Sequence, residues 1–202
     1  MNETVTQTNS CGIHCKGIRG QLLTFKADPF LCREGECHDY LSDGLIVIQD
    51  GRIIDVGDYG TTIKRYPGLN ETDTYSDALI LPGFIDCHAH YVQAPVIGSS
   101  GNTLLKWLDR YVFPMESRFR DKIFADEVAR EFMAEMLTQG TTTANVFSTT
   151  FETSVDAIFE ESERYNTRMI TGKVLQDRNI PDSLKDESAE ESIPVSYTHL
   201  TL

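Results

Sequence analysis

Two of the chain's five histidines stand one residue apart, at the end of the stretch LPGFIDCHAH (81–90). The short run Phe84-Ile85-Asp86-Cys87-His88 follows a Pro-Gly breaker and reads as a buried strand. On a strand, residues i and i+2 face the same side. His88 and His90 are therefore expected to project together, with Asp86 on that side two residues earlier. Two neutral imidazoles on one face make half of a zinc site: zinc takes His nitrogens at about 2.0–2.1 Å and usually has four ligands. The other reading of the same pair is two solvated histidines at a strand end.

The elements around the pair have to decide between these. Before it, GIRGQLLTFK (17–26) reads as a strand, and ADPFLCREGECHDYLSDG (27–44) as a polar loop. LIVIQDGRIIDVG (45–57) contains two β-rich runs joined across Asp50-Gly51, a strong hairpin signal because both turn residues need positive φ. ALILPG (78–83) reads as another strand. Residues 16–82 are thus expected to form a small all-β, sandwich-like layer behind a polar tail, 1–15.

After Pro82-Gly83 the pattern changes. The strand 84–88 leads into a loop over 91–103. A short helix is expected from Leu104, broken by Pro114. Asp126–Leu137 is patterned as a helix, with Val128/Phe132/Met136 and Ala129/Met133/Leu137 in adjoining rows and Gly140 just past its end. TTTANVF (141–147) reads as a strand, 154–165 as a helix and RMITGKVL (168–175) as a strand. Strand–helix alternation predicts parallel βα units. In a βα barrel the C-terminal strand ends carry the chemistry, and the histidine pair stands at such an end.

The chain has 202 residues, fewer than the about 250 of a complete (β/α)8 barrel. A net charge of -13 argues against a nucleic-acid partner. No apolar run reaches the about 18 residues of a membrane span, and the N-terminus lacks the pattern of a signal peptide. Five cysteines, an odd count without a secretion signal, read as reduced thiols in a cytoplasmic protein. Cys11/Cys15 and Cys32/Cys37, with His14 and His38, do not have zinc-knuckle spacing and read as ordinary free cysteines.

A β layer, then LPGFIDCHAH, then βα units resembles the amidohydrolase superfamily of metal-dependent hydrolases. LLKWLDRYVFPMESRF, GTTTANVF and GKVLQDRN are similar to the guanine deaminases within it, and the likeness covers roughly 17–192. The resemblance implies an α/β fold: about the first three βα units of a truncated (β/α)8 TIM-type barrel over 83–193, preceded by the β layer. It implies a Zn2+ cofactor with His88 and His90 as ligands, and Gln93 as a residue that hydrogen-bonds the purine. It also implies guanine as the small-molecule substrate and a homodimer for the full-length protein. The catalytic carboxylate, the remaining ligands and the base-holding residues of that family match nothing in these 202 residues. The fragment itself is therefore expected to be inactive. Alternatives within the resemblance are another amidohydrolase-type deaminase, a chlorohydrolase, or a catalytically silent remnant.

Other residues carry plainer expectations. Asp86 reads as structural or as a support for the ligands, Lys173 as a buried lysine paired with a carboxylate, and Trp107 as core, with packing against the site loop as the alternative. Glu116 lies near the site loop without an assigned role. VSYTHLTL (195–202) reads as translated sequencing adaptor. The natural sequence is accordingly expected to end near Ile193, and His199 to have no metal role.

Overall fold

The computed structural model describes residues 15–33, 35–190 and 192–193. Cys11, His14 and the 194–202 tail lie outside them. The chain divides into two units between Pro82 and Gly83.

The first unit is a four-stranded sheet in the order β3-β2-β1-β4, with β1 Cys15–Phe25, β2 His38–Gln49, β3 Arg52–Asp58 and β4 Thr72–Ile80. β1 pairs antiparallel with β2 and parallel with β4. The Asp50-Gly51 turn forms as expected, with φ of 50° and 75°. Leu45, Val47 and Tyr66 are its buried cluster.

Three expectations change here. The polar loop stops at Cys37 and His38 opens a strand, because the polar residues are used across strands. Arg19 grips Asp43 through two hydrogen bonds of 2.7 Å, and Tyr40 Oη donates to Gln21 at 2.7 Å. The β layer gains one helical turn, since 59–65 turns helically after Asp58, whose Oδ1 accepts the Thr61 N–H at 3.1 Å. The cysteines are not all thiols: Cys32, Cys37 and Cys87 are free, whereas Cys15 is disulfide-bonded. A count of cysteines cannot show which sulfurs meet in space.

The second unit holds three parallel strands in the order β5-β6-β7: β5 Phe84–His90, β6 Thr141–Phe147 and β7 Arg168–Gly172. Helices Lys122–Thr138 and Glu152–Tyr165 connect them. The first helix starts at Lys122 rather than Asp126, because Asp121 caps it by accepting the Ile123 N–H at 2.9 Å. Its two expected apolar rows pack against Ala144, Val146 and Met169 of the sheet. Pro114 breaks nothing. A π turn over Leu108–Val112 precedes it, so Pro114 sits in the first turn of Phe113–Glu116, where a missing N–H costs little. The expected loop 91–103 begins as a 3-10 segment, Tyr91–Val96.

Two glycines set the strand register. A Cβ on Gly83 would lie 2.2 Å from Thr142 Oγ1, so only glycine lets β5 start this close to β6. Gly140 has φ 83° and its carbonyl accepts the Phe84 N–H at 2.8 Å.

One sheet face is covered by the helices. The other carries Ile85 at 69% exposure and Ile170 at 65%, and no described residue of this unit covers it. An apolar sheet face beside a free strand edge is a site of self-association. The 202-residue chain is therefore expected to elute above monomer mass by light scattering. Ile85→Ser with Ile170→Ser should shift it towards monomer, and an unaltered mass distribution would show that another surface is responsible.

Candidate metal centre

His88 and His90 close β5. Their Nε2 atoms lie 3.1 Å apart. Two nitrogens bound at about 2.0–2.1 Å to a tetrahedral ion sit about 3.3 Å from each other, so the spacing of the pair matches that of two zinc-bound imidazoles. Among the described residues, no group of three or more His, Cys, Asp or Glu is placed to hold a metal.

A strand irregularity produces this convergence. Asp86 pairs with Ala144 and Ala89 with Val146, so β5 spends one more residue than β6 over this stretch. The extra residue is a bulge at Cys87-His88. It brings His90 opposite Phe147, on the open face that also carries Ile85, although an odd number of positions separates His90 from Ile85. Asp86 is thereby removed from the histidine side, contrary to expectation. Its Oδ1 accepts the His88 N–H at 2.9 Å and stabilises the bulge. Its structural role stands.

Phe147 holds the rings. It stacks on His90 with centroids 4.6 Å apart and planes 9° from parallel, and lies 5.1 Å from His88. Burial, and then the neighbouring His88, push the His90 pKa below its ordinary value. Neutral imidazole is the form that binds metal.

Gln93 is half-buried, with its amide 3.3 Å from His90 Nδ1. Its amide O and N can exchange places in this geometry. With Oε1 towards Nδ1, His90 donates from Nδ1 and keeps the Nε2 lone pair for an ion. The other side of Gln93 meets Glu116, a buried carboxyl at 8% exposure. Burial raises the Glu116 pKa to about 7, while the Gln93 hydrogen bond acts the other way. The turn carrying Glu116 packs on the Tyr91–Val96 segment carrying Gln93.

Phe147 is the site residue that sequence reasoning missed, although the alternation in Thr143, Asn145 and Phe147 was a signal for it. Glu116 was placed near the site loop, and nothing local marked its role. Lys173 pairs with Asp186, as expected, with both side chains largely shielded. Trp107 belongs to the site loop rather than the core, with Nε1 donating to Ser99 Oγ at 2.9 Å.

The amidohydrolase family model matches residues 79–198. The chain belongs to the amidohydrolase family. The guanine deaminase of Escherichia coli K12 is 42% identical over 153 residues, covering 76% of this chain and 35% of that protein. The solved guanine deaminase of Bradyrhizobium japonicum superposes with a TM-score of 0.86 at 34% identity, over 92% of this chain and 40% of its own. A guanine deaminase from C. acetobutylicum, solved with guanine in its active site, gives 0.76 at 26% identity, over 92% and 42%. The chain thus spans about two fifths of the relatives it matches. The family resemblance read from the sequence is borne out, and β5–β7 are opening strands of a TIM-type amidohydrolase barrel.

Glu116 makes a stability prediction. Its folded pKa, about 7, lies above the ordinary 4.5, so the folded state binds the proton more tightly. Stability should be fully present below about pH 4.5 and fall as pH rises towards about 7. Glu116→Gln should flatten this fall by about 2 kcal/mol between pH 5 and pH 8, read by urea unfolding. An equally steep fall in the variant would place the effect elsewhere.

Proposed function

We propose that this chain carries the first metal ligands and part of the substrate site of a zinc-dependent guanine deaminase, which converts guanine and water to xanthine and ammonia. The observation that carries the proposal is the His88–His90 pair, 3.1 Å between Nε2 atoms, at the C-terminal end of a barrel strand with Gln93 beside it. The relatives named above are guanine deaminases, and one holds guanine in its active site.

His88 and His90 would hold the zinc, with further ligands from elsewhere in the full-length protein. When bound there, the ion lowers the pKa of water to near 7 and so supplies the nucleophile at neutral pH. The chain's own residues do the remaining work of this region. Phe147 fixes both rings and keeps one side of the pair dry. Gln93 has two donors and two lone pairs, and its contacts to His90 and Glu116 leave capacity for a purine edge that presents both kinds of group. Glu116 holds that amide in place. A cytoplasmic location is part of the proposal on the family resemblance; three described cysteines are free thiols, while Cys15 is disulfide-bonded. A homodimer is proposed for the full-length protein on the family resemblance.

The full-length protein is expected to release ammonia from guanine and not from cytosine. Turnover of cytosine with none of guanine overturns the proposal. Gln93→Ala should raise the KM for guanine about 2- to 10-fold, the loss of one or so hydrogen bonds, with zinc content unchanged. Loss of zinc would show that the contact with His90, rather than a contact with the purine, is the main work of Gln93. The 202-residue chain alone should release no ammonia and retain no stoichiometric zinc, because two imidazoles fall short of the three protein ligands of a catalytic site. A soluble, zinc-loaded, active 202-residue product would refute this.

A further inference from the structure

Cys32 and Cys37 flank a tight turn at the mouth of the β1–β2 hairpin, far in sequence from the histidine pair. Glu36 N–H donates to the Arg33 carbonyl at 3.0 Å, closing the turn, and Gly35 takes φ 82° in it. The residue before such a turn and the residue after it face each other. A disulfide spans Cα atoms about 4.4–6.8 Å apart, a separation that residues on either side of a four-residue turn can reach. Both sulfurs are free thiols and half-buried, and after burial itself Cys37 is near enough to raise the Cys32 pKa further. Cys37 is anchored, since its carbonyl accepts the Lys26 N–H at 2.8 Å. His38 Nδ1 lies 3.7 Å from Cys37 Sγ and can take its proton.

We propose that Cys32 and Cys37 form a thiol–disulfide exchange site, which reacts with small-molecule disulfides to give a reversible cross-link across the turn. Cys37 is the attacking sulfur. Its thiolate displaces one thiolate from the disulfide RSSR, leaving Cys37–S–S–R. Cys32 then attacks Cys37 Sγ and expels the second RS−. Two protein thiols and one RSSR become one protein disulfide and two RSH, the thiol protons ending on the released thiolates. Burial, and then contact with Cys37, push the Cys32 thiol above its ordinary pKa. This is why Cys32 acts second, once Cys37 is capped and the mixed disulfide waits beside it. The bond would lock the turn and tie the start of β2 to the loop bearing Phe30 and Leu31, both almost fully exposed.

The test uses the whole 202-residue chain, undenatured, with oxidised glutathione, followed by alkylation and peptide mass mapping. The expected product links Cys32 to Cys37 with the loss of two hydrogens, while Cys87, exposed and not part of this pair, carries a glutathione adduct. In Cys32→Ser the reaction should stop at a Cys37–glutathione mixed disulfide. His38→Ala should slow cross-linking at neutral pH without changing its end point. The pair should also oxidise about tenfold more readily in the folded chain than in urea, because the turn holds the sulfurs together. Separate adducts on Cys32 and Cys37 in the parent chain, or equal oxidation in urea, would overturn the proposal.

Discussion

The parallel pairing of β5 with β6, one residue out of step at Cys87-His88, is the constraint on which the site depends. A strand that kept perfect alternation from Ile85 would direct His90 towards the helices, where Ala89 packs now. The bulge reverses that parity. Its cost, a break in the ladder, is offset locally by the Asp86 carboxylate on the His88 N–H. The start of the strand is held by Gly83 against Thr142 and by the Gly140 carbonyl on Phe84. Small errors at either end would reach the site, because Phe147 and His90 meet only in this register.

The chemistry then follows from burial. A row of polar groups runs from Glu116 through Gln93 and His90 to His88. Its inner end is buried and carries a carboxyl that is half protonated near neutrality. Its outer end is exposed and carries a nitrogen pair spaced for an ion. In a low-dielectric setting each member fixes the hydrogen-bonding role of the next. Orientation of the Gln93 amide and the tautomer of His90 are therefore a single variable. Phe147 adds the apolar wall that keeps the rings from turning.

The first unit works by shorter-range rules. Asp50 and Gly51 adopt positive φ because the turn demands it, and the two strands follow. Arg19 and Asp43 join strands whose polar content looked loop-like. The same locality sets Cys32 and Cys37 on either side of the turn closed by the Arg33 carbonyl.

The sequence by itself determined the elements whose cause is local: the Asp50-Gly51 hairpin, β6 at its observed bounds, the apolar rows of helix Lys122–Thr138, and the histidine spacing that pointed to zinc and to the amidohydrolases. Each rests on a period, a turn or a motif within a dozen residues. Only the tertiary structure decided the rest. Asp86 turned from the histidines to its own backbone because β5 had to match β6. Glu116 and Phe147 joined the site across 23 and 57 positions from Gln93 and His90. Such pairings arise from which strands and turns pack together, and a linear pattern holds no record of that.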